Sequence, residues 1–238
     1  MADTVATLPR PLTGAPPARR SPLEHRADEM ERAGRTDPDG VALREVPFLT
    51  QFNLRLRHAA EAEAEAEAEA EPPVQPETPL RLPSPLTLPR TPNTVHSAGG
   101  RAAVWLGPDE WLVVSPPGTA TEVEGALREL AVPAVCGAYT DVSAHSTALR
   151  LSGRRSRDVL RKVCSLDLHP RAFGSGGCAQ TLLADAARVL LVADGEPDGF
   201  LIFVRASFAD YVADWLLDAM AEYAAGTDHC QTIMNEKR

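Results

Sequence analysis

Hydrophobic residues recur at regular spacings through the second half of this chain. Three apolar runs, at positions 147–151, 188–192 and 200–204, have the length of buried strands. Apolar residues at helical spacing follow the first and the last of these runs. This order of strands and helices indicates an α+β unit that extends from Tyr139 to Tyr223.

The last helix is the clearest single element of the sequence. Ser207 stands just before it and Asp210 follows three residues later, a spacing typical of a helix start whose first amides need acceptors. Gly226 follows the run, near the point where a helix commonly ends. Apolar residues repeat at i, i+3, i+4, i+7 and i+8, which predicts one continuous apolar face: Phe208, Tyr211, Val212, Trp215, Leu216, Ala219, Met220 and Tyr223.

The first half contains a strand, a hairpin and a helix. In positions 46–57, Phe52, Leu54 and Leu56 alternate with polar residues, which predicts a half-buried first strand that returns across a long gap to the main sheet. The run RAAVWLGPDEWLVV has two apolar segments joined by turn residues, so it predicts a hairpin. A helix should follow and end before Pro133, with these residues on its buried side: Val123, Ala126, Leu127 and Leu130.

The same order of strand, turn, strand and helix recurs near the end of the chain. There, positions 188–192 precede a turn that again contains Pro and Asp, followed by the run FLIFV and the last helix. Aligning Arg101 with Arg188 and Trp111 with Phe200 gives nearly equal offsets. Such internal similarity predicts a chain built from two related strand–strand–helix halves that share a sheet core.

Three segments lack the pattern of folded structure. Residues 1–40 have few large apolar side chains and are predicted to form a disordered tail. Residues 60–98 contain the run AEAEAEAEAEAE and a proline-rich stretch, which we interpret as a solvated spacer between a first strand region at 41–59 and the main domain at 99–226. An acidic contact for a basic partner is the alternative for this run. Residues 227–238 are predicted to form a flexible tail.

Composition narrows the class of protein. A chain of 238 residues with 44% hydrophobic content can bury a substantial core. Its net charge is −9, but six glutamates lie in the Ala/Glu run, so the rest is nearly balanced and unlike a nucleic-acid-binding surface. The four cysteines lack the spacing of a zinc site or disulfide framework, which indicates a reducing compartment. No run approaches the ~20 apolar residues of a membrane span, so we expect a soluble, cytoplasmic protein.

Two short segments contain residue types that are common in catalytic sites. Residues 173–177 hold three glycines, but no strand leads into them and no lysine follows, so a turn before a strand is favoured over a phosphate-binding loop. Cys164 and His169 could supply a thiol and a base. Cys164, however, falls on the apolar side of a helix with Val159, Leu160 and Val163, and a buried packing role is favoured.

A third segment contains the side-chain types of a hydrolase triad. His145 lies between Ser143 and Ser146, shortly after Asp141. Residues so close in sequence seldom adopt the geometry of such a triad. We therefore predict no catalytic, cofactor-binding or metal-binding residue on this chain.

Two charged groups of residues could face a partner. Cations gather at the start of the helix after position 151, where they oppose the helix dipole: Arg150, Arg154, Arg155, Arg157, Arg161 and Lys162. Acids recur every four residues on the last helix, where like charges repel: Asp210, Asp214, Asp218 and Glu222. Solvated surfaces would explain both. The alternative is that the acids meet cations of this cluster or of another subunit; the possible partner interface then comprises Arg154, Arg155, Arg157, Arg161, Asp210, Asp214 and Asp218.

Six motifs occur in a specific order and cover most of residues 41–223: VALREVPFLTQFNLRL, WLGPDEWLVV, TDVSAHSTALRLSG, VLRKVCSLDLHPRAF, CAQTLLA and VRASFADYVADWLLDA. In these motifs the chain resembles the gamma subunit of heterotetrameric sarcosine oxidase. The resemblance implies a non-catalytic subunit in a complex with alpha, beta and delta subunits. That complex oxidises sarcosine to glycine and hydrogen peroxide and passes the one-carbon unit to tetrahydrofolate. FAD, FMN, NAD, zinc and tetrahydrofolate are expected on the other subunits.

More distantly, the stretch TDVSAHSTALRLSGRRSRDVL is similar to the folate-binding aminomethyltransferase fold. The resemblance implies an aspartate that handles the substrate amine, at a position that Val189 and Leu190 occupy here. An alkyl side chain can neither accept a proton nor stabilise a cationic amine. Two alternatives stay open: a free-standing folate-dependent enzyme in which Asp185 replaces the missing carboxylate, and a folate-binding module that delivers folate to a partner.

Overall fold

The computed structural model describes residues 19–34, 40–57, 78–80, 86–131, 136–193 and 198–224. The strands in these ranges are β1 (Ala42–Val46), β2 (Thr50–Arg57), β3 (Thr78–Leu80), β4 (Leu86–Leu88), β5 (Val95–Ala98), β6 (Arg101–Gly107), β7 (Glu110–Ser115), β8 (Cys136–Asp141), β9 (Ser146–Ser152), β10 (Cys178–Leu183), β11 (Ala187–Ala193) and β12 (Phe200–Arg205). The helices are α1 (Ala27–Ala33), α2 (Ala120–Ala131), α3 (Ser156–Val163) and α4 (Ala209–Ala224). Short 3₁₀ turns, Glu24–Arg26 and Ala206–Phe208, precede α1 and α4.

Ten strands form two antiparallel sheets of five strands each. The first sheet has the order β1-β9-β12-β11-β10, and the second has the order β5-β6-β7-β2-β8. The remaining strands, β3 and β4, pair with each other. With helices packed on antiparallel sheets, the predicted α+β class is confirmed.

The strand orders match the prediction of two related halves. If the first sheet is taken from its β10 edge, β10, β11, β12, β9 and β1 occupy the places of β5, β6, β7, β2 and β8. Each half has a hairpin followed by a helix, β6–β7 with α2 and β11–β12 with α4. The first strand of each half crosses to the other sheet, because β1 pairs with β9 and β8 pairs with β2. The halves are therefore joined by strand exchange.

Side chains that alternate along the strands build three apolar layers. On β12, Phe200, Ile202 and Val204 face α1, α3 and α4 on the outer side of the first sheet. Phe203 points the other way, into the layer between the two sheets. The outer side of the second sheet is covered by α2 and by the buried Leu86 and Leu88 of β4. The sheets thus pack face to face, with helices outside them.

Most of the predicted strands are confirmed, with one division. β9, β11 and β12 include the apolar runs at 147–151, 188–192 and 200–204. The alternation in β2 is also confirmed, since Phe52, Leu54 and Leu56 are buried. The predicted first strand at 46–57 is two strands, however. Phe48 adopts a positive φ of 61° between them, which ends β1 and lets β2 join the second sheet.

The buried face of α4 differs from the predicted one. Ala209 and Ala213 are fully buried, although the spacing analysis did not place them on the apolar face. Phe208 and Trp215, which it did place there, are 40% and 43% exposed. The small alanines allow the helix to lie close to the sheet, so its bulkier aromatic flank stays outside. Ser207 lies inside the 3₁₀ turn rather than just before the helix.

The prediction of a disordered tail over residues 1–40 is wrong for positions 19–34. These residues form a 3₁₀ turn and α1, and Leu23 and Met30 insert into the core below the first sheet. Two well-placed apolar side chains are enough to hold this short helix, and composition averaged over forty residues hides them. Residues 1–18 and 35–39 lie outside the described ranges.

The prediction of a spacer over residues 60–98 is wrong for its C-terminal part. β3, β4 and β5 fall there, and Leu86 and Leu88 are fully buried. The indole nitrogen of Trp111 also donates a hydrogen bond of 2.8 Å to the carbonyl of Pro89. Residues 86–89 therefore belong to the core on the outer side of the second sheet. The Ala/Glu run at 60–71 and the tail at 227–238 lie outside the described residues.

Candidate functional site

A cavity of about 350 Å³ opens at one edge of the seam between the two sheets. Its apolar wall includes Leu106 and Leu112 from the second sheet, and Leu190 and Phe203 from the first. Polar side chains from both sheets surround this wall. We call this space the seam cavity. Its size and its mixed lining are those of a small-molecule pocket.

The position that the aminomethyltransferase resemblance assigns to an aspartate lies at the seam cavity. Val189 is 2% exposed and packs toward the helices, whereas Leu190 is 9% exposed and packs between the sheets. Neither side chain can exchange a proton. Asp185, the proposed substitute, sits in the turn between β10 and β11 with a φ of 61° and is not among the residues that line the cavity.

Two arginines line the seam cavity beside Leu190. Arg188 is on β11 and Arg205 is the last residue of β12, and both are exposed. The carboxylate of Glu110 lines the opposite wall, but its oxygens accept hydrogen bonds from Asn53 at 2.7 Å and Arg55 at 2.8 Å. The cavity therefore combines an apolar wall with a surplus of positive charge.

The segment with the residue types of a hydrolase triad forms separate pairs. Ser143 donates to the carboxylate of Asp141 at 2.6 Å, and the imidazole Nδ1 of His145 lies 3.0 Å from the hydroxyl of Ser146. The backbone N–H of Gln51 also donates to Ser143. The acid and the imidazole thus contact different serines, and these bonds fix the turn between β8 and β9.

The glycine-rich segment and Cys164 make contacts within the fold. The carbonyl of Gly176 accepts a hydrogen bond from Val95, and the N–H of Cys178 donates to Asn93, so the loop ties the two sheets together. Cys164 is buried, and its sulfur lies 3.7 Å from the hydroxyl of Thr181. Its surroundings match the packing role that the sequence favoured over catalysis.

The basic cluster divides into an inward and an outward part. Arg157 is only 14% exposed, and its guanidinium donates to the carboxylate of Asp198 at 3.0 Å and to the carbonyls of Leu168 and Phe173. The guanidinium of Arg157 is thus hydrogen-bonded within this chain. Arg155 and Arg161 instead flank Asp158 on the surface, at 3.2 Å and 3.1 Å.

The acidic stripe of α4 meets cations of its own chain at both ends. Arg26 forms an ion pair of 2.5 Å with Asp214, and His25 lies 3.1 Å from Asp210. A hydrogen bond to Glu29 raises the pKa of Arg26, and desolvation opposes this shift. A second hydrogen bond, to Asp214, raises the pKa further. These partners precede α1, in a segment that was predicted to be disordered. Asp210 and Asp214 still expose 59% and 66% of their side chains.

The C-terminal end of the stripe contacts α3. Lys162 donates to the carboxylate of Glu222 at 2.5 Å and to the carbonyl of Ala219 at 2.7 Å. The bond from Lys162 lowers the pKa of Glu222. The neighbouring carboxylate raises the pKa of Tyr223 to about 12, through a hydrogen bond that favours the protonated phenol. Part of the basic cluster therefore neutralises part of the acidic stripe, which is one of the two expected arrangements.

An aromatic flank of α4 lies next to these charges. The ring of Tyr211 contacts Phe208, in the preceding 3₁₀ turn, and Trp215 edge to face, with ring centroids 6.4 Å and 6.3 Å apart. The hydroxyl of Tyr211 donates to the carbonyl of Ala184, which holds this ring in place. We call these three residues the aromatic flank. Exposed, preordered aromatic rings are characteristic of protein–protein interfaces.

Sequence reasoning missed the arginine pair and the aromatic flank. A signal for the arginines was present, because Arg188 and Leu190 share strand parity, as do Arg205 and Phe203. Alternate strand positions that face the layer between the sheets are usually apolar, so charged residues at such positions are unusual. This signal indicates a pair of neighbouring arginines only when the pairing of β11 with β12 is known.

Membrane-spanning helices and clusters of metal-binding side chains are both absent from the described residues. No helix in these ranges combines the length and the apolar character that are needed to cross a membrane. In the same ranges, no group of three His, Cys, Asp or Glu side chains converges as metal ligands would.

The fold places the chain in the structural class of the aminomethyltransferases. It is similar to glycine cleavage system aminomethyltransferase T from Bartonella henselae, with a TM-score of 0.51 over 82% of this chain and 56% of that one. The two sequences are 14% identical, so this likeness concerns the fold alone. The chain itself belongs to the sarcosine oxidase, gamma subunit family, whose model matches residues 75–222.

Individual relatives agree with this assignment. The chain is 37% identical to sarcosine oxidase subunit gamma from Corynebacterium sp. (strain U-96), over 87% of this chain and 92% of that protein. It is 36% identical to the subunit of the same description from Arthrobacter sp, over 88% and 93%. Among solved structures, it matches a chain of heterotetrameric sarcosine oxidase from Corynebacterium sp. U-96 in complex with pyrrole 2-carboxylate. That match has a TM-score of 0.67 at 37% identity and covers 87% of this chain and 97% of the other.

Proposed function

We propose that this chain is a non-catalytic gamma subunit of a heterotetrameric sarcosine oxidase. Its partners are alpha, beta and delta subunits, and the complex demethylates sarcosine to glycine with release of hydrogen peroxide. The one-carbon unit passes to tetrahydrofolate. FAD, FMN, NAD, zinc and tetrahydrofolate are bound by the other subunits, and the complex is cytoplasmic. Family membership and similarity to a chain of the Corynebacterium complex support this proposal.

The single observation that carries the non-catalytic assignment is the chemistry of the seam cavity. Leu190 faces it where the resemblance implies a carboxylate, and Arg188 and Arg205 line it as well. A cationic amine would find no proton acceptor at the position of Leu190 and would be repelled by the two guanidinium groups. The scaffold is therefore retained without the charge that amine chemistry requires.

The alternatives predict different properties for the isolated full-length chain. Calorimetric titration with tetrahydrofolate and a sarcosine turnover assay, on chain shown to be folded by circular dichroism, separate them. The proposal predicts neither binding nor turnover. Both activities together would identify a free-standing enzyme, and binding without turnover would identify a folate-binding module. The assembled complex serves as the positive control for turnover.

We further propose that the outer surface of α4, with the exposed part of α3, contacts a partner subunit. The aromatic flank supplies apolar area, because Trp215 is 43% exposed and Phe208 is 40% exposed. Charged residues around it can set the orientation of the partner. Arg157 is withdrawn from the interface because its guanidinium is used within the chain. The remaining candidates are Arg154, Arg155, Arg161, Asp210, Asp214 and Asp218.

A further inference from the structure

Arg188 and Arg205 are brought together by the register of two neighbouring strands. Val189 of β11 is paired with Val204 of β12, so the next residues outward, Arg188 and Arg205, lie opposite each other at the end of the ladder. Directly opposed side chains in an antiparallel pair start about 5 Å apart, and like charges at this distance destabilise the pair. The register therefore places two arginine side chains next to each other, although their like charges repel.

No carboxylate in the described part of the chain relieves this repulsion. Glu110 is the acid that lines the same cavity, and Arg55 forms an ion pair of 2.8 Å with it. His145 also lines the cavity, and an imidazole supplies no negative charge. Neither Arg188 nor Arg205 has an ion pair or a side-chain hydrogen bond with any described residue.

The amide side chains that line the cavity already donate hydrogen bonds within the chain. Gln51 is 2% exposed and donates to the carbonyl of Ser146 at 2.9 Å. Gln180 reaches across from the first sheet and donates to the carbonyl of Leu106 at 3.0 Å. Asn53 donates to Glu110. These bonds fix the cavity wall, and the guanidinium groups of the two arginines keep their donors for a ligand.

The geometry points to a ligand site: we propose that the seam cavity binds a small organic carboxylate with an apolar body. Guanidinium groups present forked N–H donors that match the two oxygens of a carboxylate. The apolar body would rest on Leu106, Leu190 and Phe203. A volume of about 350 Å³ lies at the small end of ligand pockets, which favours a compact ligand. This site does not depend on the proposed subunit role.

Benzoate is a suitable probe because it has one carboxylate on a flat apolar ring. Titration of the full-length chain with benzoate, followed by the side-chain Nε–Hε NMR signals of arginine, should show saturable shifts of the Arg188 and Arg205 signals. Acetate and inorganic phosphate should bind at least about tenfold more weakly, because they lack the apolar body. Equal binding of all three probes would overturn the proposal.

The variant Arg188→Gln/Arg205→Gln should weaken benzoate binding by about 10- to 100-fold, the usual effect of losing charge-assisted hydrogen bonds. Arg171→Gln is the matched control, since Arg171 is also exposed but lies outside the cavity, and it should bind like the unchanged chain. Arg205→Gln alone, at a strand end, provides a second variant if the double one does not fold.

Three results would overturn this ligand site. The first is unchanged benzoate binding in both cavity variants. The second is equal shifts of all exposed arginine signals, which would indicate non-specific binding. The third is that the unchanged chain fails to bind benzoate while Arg188→Gln/Arg205→Gln loses assembly with partner subunits. That outcome would assign the arginine pair to an acidic side chain of a partner.

Discussion

Two arginines on one helix, Arg157 and Arg161, have the same side chain but very different surroundings. Arg157 is 14% exposed and joins α3 to two loops through Asp198, Leu168 and Phe173. Its guanidinium also lies 5.0 Å from the ring centre of Phe200. Arg161 is 52% exposed, with an ion pair to Asp158. Sequence spacing alone placed both in one surface cluster, since the loops that surround Arg157 come from distant positions.

The substitution Arg157→Ala should destabilise the protein by about 2–4 kcal/mol, because it leaves a carboxylate and two carbonyls without their donor. Arg161→Ala should change the free energy of unfolding by less than about 1 kcal/mol, as exposed ion pairs contribute little. Urea denaturation of both variants measures the difference. Similar values for the two would show that the contacts of Arg157 are not important for stability.

Cys178 lies in the layer between the sheets, and its burial gives a pH-dependent contribution to stability. Its thiol is 1% exposed, lies 3.5 Å from the carbonyls of Thr94 and Trp105, and has a pKa raised to about 11, chiefly by desolvation. The unfolded chain ionises this thiol near its ordinary pKa of 9.0. Stability from the protonated thiol is therefore fully present below pH 9 and is lost as the pH rises toward 11.

Comparison with Cys178→Ala isolates this contribution from other groups that titrate at alkaline pH. The difference in free energy of unfolding between the unchanged chain and the variant should be constant from pH 7 to pH 8.5. It should then shift against the unchanged chain by on the order of 2 kcal/mol toward pH 11. A difference that does not vary with pH would mean that the folded thiol is not desolvated.

At the scale of elements, α4 shows both the reach and the limit of sequence patterns. The helix itself was predictable because a strong apolar period extends over four turns. Its orientation was not, since Ala209 and Ala213 contact the sheet and leave Phe208 and Trp215 outside. Hydrophobicity alone favours burial of the large aromatic residues, whereas close packing of the helix against the sheet favours burial of the small alanines. Only the tertiary structure decides between the two.

Trp215→Ser should weaken assembly with the partner subunits by about tenfold or more, while the stability of the free chain changes little. The reason is that an exposed aromatic residue at an interface commonly contributes more than 1 kcal/mol to binding. Leu182→Ser is the control, because Leu182 is 48% exposed but lies on β10 rather than on α4. Co-purification at graded salt concentrations, with the folded state checked by circular dichroism, measures the effect. Equal losses in both variants would remove any special role of the aromatic flank.

At the scale of the whole molecule, two halves exchange their first strands and enclose one cavity in the seam. The repeated order of elements predicted the halves, because local spacing survives in each. The strand exchange was not predictable, since β1 and β8 pair with strands of the other half that lie far away in the sequence. The seam cavity could not be predicted for the same reason. Its lining comes from seven strands and from the turn between β8 and β9, which only the pairing brings together.

The central claim is that this chain is a structural member of a heterotetrameric enzyme and does no chemistry of its own. Native mass spectrometry of the chain, co-expressed with the candidate alpha, beta and delta subunits, tests this claim most directly. The account predicts one complex that contains one copy of each of the four chains. It further predicts that only this complex, and not the separate chain, releases hydrogen peroxide from sarcosine. A chain that remains outside the complex, or that turns over sarcosine alone, would contradict the account.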